Sequence, residues 1–169
     1  LDVALDAARA RSMPDPAQIA RYVYADDSAE AGLGGLSIAE REALGGTDVP
    51  LDEGPMLRYA EAVRRTLHHE LRVNPKVVVF GEDVGRKGGV HLVTEGLQKQ
   101  YGSERVFDTS LSEEGIIGRA VAMAISGLMP VAEIQFRKYA DPATEQLNNC
   151  GTMRWRTANR FAAPIVVRM

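Results

Sequence analysis

Two kinds of apolar run organise the chain from Met56 onward. Residues 57–73, 93–101, 113–127 and 141–156 space their apolar positions as helices do. Asn74-Pro75 stops the first of these and Gly102 the second. Between them lie short β-branched or aromatic stretches at 77–80, 105–108, 130–135 and 165–168. Apolar strands alternating with helices predict an α/β fold, a parallel sheet with helices on both faces. Before Met56 the pattern is different. Residues 1–11 are Ala-rich and helical, Pro14-Asp15-Pro16 breaks them, and 18–24 predicts a short helix. Residues 26–55 are rich in Gly, Ala, Asp and Glu, a linker composition with one short helix at 37–44. The expected division is an arm and linker at 1–54 and an α/β domain at 55–169. A start inside a helical pattern and an end on an apolar strand lead us to expect part of a longer polypeptide, with the domain incomplete on its carboxyl side.

The run Arg105–Gly118, RVFDTSLSEEGIIG, holds the first chemical hint. A strand ends in Asp108-Thr109-Ser110, and a helix opens on Glu113 and Glu114. Its stripe of Ile116, Ile117, Ala120, Val121, Ala124, Ile125 and Leu128 predicts a buried face. A carboxyl on the first turn of an apolar helix can hold or pass a proton near neutral pH once burial raises its pKa. The competing reading is a capping box, S-x-x-E, in which Ser110 and Glu113 only satisfy backbone donors. Glu82 and Asp83, then Asp108 to Glu113, then Gln135 to Tyr139 follow successive strands. Ligands of parallel sheets sit outside such carboxyl ends.

Composition narrows the classes. The 169 residues are 45% hydrophobic and 25% charged, with net charge −3, which gives no electrostatic footprint for nucleic acid. No apolar run is long enough for a membrane helix, no signal peptide opens the chain, and a reducing, cytoplasmic setting fits. Cys150 is alone, so it forms no intrachain disulfide and reads as a small packed hydrophobe. The glycines at 81, 85, 88 and 89 match neither a Walker loop nor G-x-G-x-x-G, and His68-His69-Glu70 lacks H-E-x-x-H spacing, so no metal site is expected. Trp155 between Arg154 and Arg156 reads as core or interface.

Five segments in order carry a resemblance: GEDVG (81–85), GGVHLVTEGL (88–97), YGSERVFDTSLSEEGIIG (101–118), GLMPVAEIQFRKYADPATEQLNN (127–149) and RWRTANRFAAPIVVR (154–168). Together they resemble the β-subunit of thiamine diphosphate-dependent 2-oxo acid dehydrogenases, the decarboxylating first component of pyruvate and branched-chain complexes. The resemblance implies a transketolase-like pyrimidine-binding domain. It makes Glu113 the carboxyl that exchanges a proton with the cofactor's aminopyrimidine, the start of its activation. Leu111, Gln135 and Tyr139 fall where the family contacts that ring, and Glu82 where it places a carboxylate relaying protons between paired sites. The resemblance further implies thiamine diphosphate, Mg2+ held by a domain outside this chain, and an α-type diphosphate-binding domain or subunit. A second copy, the lipoyl domain and the core acyltransferase are the other implied partners. Residues 12–24 are similar to the tail of an α-subunit, which suggests a fused α–β polypeptide. The alternatives are another transketolase-like enzyme, such as a deoxyxylulose phosphate synthase, and a non-catalytic scaffold that keeps the fold. The 2-oxo acid itself is not legible here.

Overall fold

The computed structural model describes residues 2–13, 15–18, 54–158 and 160–169. Helix α1 (Asp2–Arg9) buries none of its residues, and a 3-10 turn follows at Pro16–Gln18. The helix expected at 37–44, and all but the first residue of that expected at 18–24, lie outside the described residues.

The regular part begins with α2 (Tyr59–Val73), two residues later than the pattern suggested. It buries Leu67, Leu71 and Val73. Then come β1 (Val77–Gly81), α3 (Leu97–Tyr101), β2 (Val106–Asp108) and α4 (Glu113–Ile125). The remaining elements are β3 (Met129–Glu133), a 3-10 turn at Arg137–Tyr139, α5 (Asp141–Arg156) and β4 (Val166–Arg168). The strands form one parallel sheet in the order β2-β1-β3-β4. The predicted α/β architecture is therefore present.

Strand alternation sorts the core into two layers. Val77, Val79, Val106 and Val131 face one side with Leu67 and Leu71 of α2, joined by Val84, Val93 and Leu97. Val78, Phe80 and Ala132 face the other with Ile116, Ile117 and Ala120 of α4 and Ala143 of α5. Phe80 stacks on its register partner Phe107, ring centroids 5.2 Å apart. Every residue of β1 is buried, as an interior parallel strand requires.

Two expectations fail for local reasons. The helix predicted at 93–101 is helical only from Leu97, because Gly96 takes the left-handed conformation (φ +78°) and the preceding residues form turns. Val93 and Thr94 are buried all the same. The stripe on α4 is narrower than expected: Ile116, Ile117, Ala120 and Ala124 are buried, whereas Ile125 is exposed at the helix end before Ser126 and Gly127 (φ +94°).

Candidate functional site

The order of strands fixes where a site can form. From β1 the chain crosses to β2 through the 82–105 segment, whose Val84, Val93 and Leu97 join the α2 layer. From β3 it crosses the opposite way to β4 through α5, on the other layer. Crossovers that leave neighbouring strands in opposite directions open a crevice at their carboxyl ends. Here that switch point lies between β1 and β3, so Glu82 and Gln135 flank it.

Glu82 follows Gly81 directly and is half-buried. Burial pushes its carboxyl pKa up, and the negative charges of Glu113 and then Asp83 push it further. Gln135 Nε2 donates to the Glu82 carbonyl at 3.1 Å, which ties the end of β1 to the end of β3. Thr109 N–H donates to the Gly81 carbonyl at 2.9 Å and ties β2 to the same point. Asp83 takes a left-handed conformation (φ 57°) and pairs with Lys87 at 2.9 Å.

Glu113 reaches this crevice as the first residue of α4. The N-cap is Ser112, whose Oγ accepts from Gly115 N–H at 3.3 Å. The S-x-x-E box read from Ser110 is therefore not formed: Glu113 stands at the first helical position, not the third, where a boxed glutamate reaches back. Among the described residues Glu113 makes no hydrogen bond or ion pair, and Glu114 beside it is exposed. A half-buried carboxylate with free lone pairs, near a second carboxyl whose pKa is raised, can bind a donor or exchange a proton.

The rim of the crevice is aromatic. Phe136 packs edge-on against Tyr139 (5.7 Å) and against His91 (5.9 Å), and the Lys138 ammonium lies 5.0 Å from the Tyr139 ring centre. Leu111 is 83% exposed, and Val90, Leu92, Phe136 and Tyr139 are also exposed, so an apolar rim faces outward here.

A family model described as transketolase, pyrimidine binding domain, matches residues 56–169. The chain belongs to this family. It is 51% identical over 110 residues to the 2-oxoisovalerate dehydrogenase subunit beta of Pseudomonas aeruginosa, a match covering 64% of this chain and 31% of the relative. It is 46% identical over 115 residues to the pyruvate dehydrogenase E1 component subunit beta of Acholeplasma laidlawii, covering 68% and 35%. It is 41% identical over 114 residues to the 2-oxoisovalerate dehydrogenase subunit beta of Bacillus subtilis, covering 67% and 35%. The chain thus spans about a third of the length of the curated relatives it matches.

Within this pyrimidine-binding domain, the sequence-predicted residues fall at the carboxyl edge of one sheet. Glu82 and Glu113 are within electrostatic reach of each other, and Gln135 holds the backbone of Glu82. Leu111 and Tyr139 form no hydrogen bond with either carboxyl; they stand on the rim as exposed surface. Sequence reading put Asp108 at a strand end but missed its contact there: the carboxylate accepts from Gly85 N–H at 2.7 Å. It also missed the buried pair of Glu133 and Arg168, with Arg168 Nη2 2.7 Å from Glu133 Oε2. A polar residue closing an apolar strand, as in VAE and VVR, was the available signal for both. A separate cavity of about 400 Å3 lies between α2 and the segment leading into α3. Its Arg64 is already paired with Glu95 at 3.1 Å, and it is remote from the strand ends. No described helix is long and apolar enough to cross a membrane.

Proposed function

We propose that this chain supplies the aminopyrimidine side of a thiamine diphosphate site in a 2-oxo acid dehydrogenase that decarboxylates its substrate and passes the acyl group to a lipoyl domain. The observation that carries the reading is the pair of carboxyls at the switch point: Glu113 free of any cap or ion pair, and Glu82 with a pKa raised by burial and by Glu113. The residues present fit the cofactor's pyrimidine. Glu113 offers an acceptor to a ring nitrogen, and the half-exposed Tyr139 ring offers a flat apolar face to a flat ring. When bound, the cofactor supplies the carbon nucleophile and electron sink for decarboxylation. Glu113 holds and exchanges one proton with the ring. Glu82, whose carboxyl is pushed above its ordinary range by burial and by Glu113, relays a second proton toward Glu113, while Gln135 keeps the Glu82 backbone at the strand end. Leu111 and the aromatic rim exclude water from that exchange once the diphosphate-binding partner covers them.

Among the described residues no group of three or more His, Cys, Asp or Glu side chains is placed to hold a metal ion. The likeness to subunits named beta supports assigning Mg2+ and the diphosphate to an α-type domain or subunit. The reading pairs two copies of the assembly through their relays, and it takes the acyl acceptor to be the lipoyl domain of a core acyltransferase. Relatives named for 2-oxoisovalerate and for pyruvate lie at similar identity, so either 2-oxo acid class remains within the proposal.

Glu113→Gln tests it in the assembled enzyme. The amide keeps the size and removes the titratable proton, so the decarboxylation rate should fall by roughly two to four powers of ten. Folding, read by circular dichroism, should be unchanged. Near-normal turnover would return Glu113 to a structural role.

A further inference from the structure

Asp108, Gly81, Glu133 and Arg168 are register partners in one row across all four strands. Alternation puts the row on the α2 side of the sheet, one step beyond Val106, Val79 and Val131. The 82–94 loop passes this row with Gly85 beside Asp108 and Gly89 beside Glu133, while Gly81 of the row itself packs closely on β3. A Cβ on Gly81 would lie 2.5 Å from the Glu133 carbonyl oxygen. A Cβ on Gly85 would lie 2.9 Å from Asp108 Oδ2 and 2.5 Å from Gln98 Nε2. A Cβ on Gly89 would lie 3.4 Å from Glu133 Oε1 and 3.3 Å from Thr94 Oγ1, at a φ of +78°.

Glu133 is 2% exposed. Its Oε2 accepts from Arg168 Nε at 2.9 Å and is ion-paired with Nη2 at 2.7 Å. Oε1 is buried under Gly89 without a hydrogen-bond partner among the described residues. Such a pair is an expensive way to stabilise a sheet, since an apolar pair of the same volume serves as well or better. What the pair supplies is a fixed carboxylate packed beside Gly89, its Oε1 3.4 Å from where a Cβ on that residue would stand. Gly89 N–H in turn donates to the Asp83 carbonyl at 2.7 Å, one residue from Glu82. Thr94 Oγ1 donates to the Val84 carbonyl at 2.7 Å and closes the same loop.

We propose that Glu133, fixed by Arg168, is a positioning residue that holds the 82–94 loop at Gly89 and, through the Gly89–Asp83 hydrogen bond, aims Glu82 at the crevice. This rests on the reading of Glu82 as part of the proton relay. The restraint on the loop can be read without that assumption.

The test uses the full-length polypeptide assembled with its diphosphate-binding partner. In Glu133→Leu and Arg168→Met, amide exchange of the 82–95 segment should rise roughly tenfold while β1 and β3 stay protected. Turnover should fall about as much with the KM for the 2-oxo acid unchanged, a loss confined to the chemical step. Arg168→Lys restores one donor and the charge, and should recover most of both. If the Leu or Met variant does not fold, Gly89→Ala carries the test. It leaves the ion pair intact, strains the loop at a left-handed φ and crowds Thr94 Oγ1 beside Glu133, and should give the same segment-limited exchange and the same drop in turnover. Parent-level loop exchange in a folded Glu133→Leu or in Gly89→Ala overturns the proposal. So does exchange rising evenly across the sheet, and so does a loosened loop with full turnover when Glu82→Gln is impaired. A loosened loop with full turnover in both Glu133→Leu and Glu82→Gln supports the loop restraint and removes the relay instead.

Discussion

Glu82 shows how a residue's chemistry is set by neighbours far away in sequence. Its carboxyl is raised first by burial, then by Glu113 from α4 and by Asp83, whose own charge is partly offset by Lys87. Gln135 faces it from the end of β3, but through the backbone carbonyl. A carboxyl whose folded pKa lies above its unfolded value binds more protons folded than unfolded between the two. Stability from this group is therefore present at acid pH and lost as pH rises from its ordinary value of 4.5 through the folded value. Glu82→Gln should accordingly melt higher relative to the parent at pH 7 than at pH 4, as scanning calorimetry would show; identical pH dependence would mean that Glu82 is not strained. Glu113→Gln should also lower the Glu82 pKa, measured by carbon-13 titration of labelled glutamate. Glu113 was legible in sequence because a strand end and a helix start are local signals. The shift on Glu82 was not, since it depends on burial at the end of β1 and on α4 bringing Glu113 near. Nor was the Glu133–Arg168 pair, whose members are 35 residues apart and meet only through strand order.

At the scale of elements, caps and carbonyls decide more than propensity. Ser112, not Ser110, caps α4. Ser112→Ala should cost about 1 kcal/mol in urea unfolding, while Ser110→Ala should cost almost nothing. The reverse result would restore the capping box and weaken the case for a free Glu113. The junction of α2 with β1 and β2 depends on Arg105, which donates to the carbonyls of Val77 (2.6 Å), Asn74 (2.8 Å) and Leu71 (3.2 Å). Burial lowers its pKa and Tyr101 partly restores it. A cation at a helix carboxyl end is favourable, and three carbonyls would lose their donor without it. Arg105→Met should thus lower stability by about 1–3 kcal/mol, with the slope of the denaturation curve preserved. The sequence placed α5 at its observed bounds, where Asp141-Pro142 opens and Arg156 closes the pattern. It misjudged 93–96, because Val93 and Thr94 are buried as a turn, and apolar burial alone does not distinguish a turn from a helix.

For the whole molecule, short apolar runs alternating with helical periods were enough to read a parallel α/β sheet, but not the order β2-β1-β3-β4. Order matters because it creates the crevice, and it also directs apolar surface outward beside it. Val90, Leu92, Leu111, Phe136 and Tyr139 are all exposed around the carboxyl edge, and Met153 and Trp155 are exposed on α5. Exposed apolar residues gathered at strand ends beside titratable groups fit a surface covered by another domain. If that cover is the diphosphate-binding partner, two results follow. This chain alone should bind thiamine diphosphate weakly, because the diphosphate and its magnesium carry most of the charge and no described cluster of side chains is placed for the metal. Titration calorimetry should show no site of micromolar or tighter affinity until the partner is added. With the partner present, amide exchange at 90–92, 111 and 136–139 should slow, and binding should show the negative heat-capacity change of apolar burial. Tight binding by the chain alone would mean that the diphosphate is held here after all. Unchanged exchange at the rim would mean that the partner docks elsewhere, and the two carboxyls at the strand ends would then face solvent rather than a cofactor.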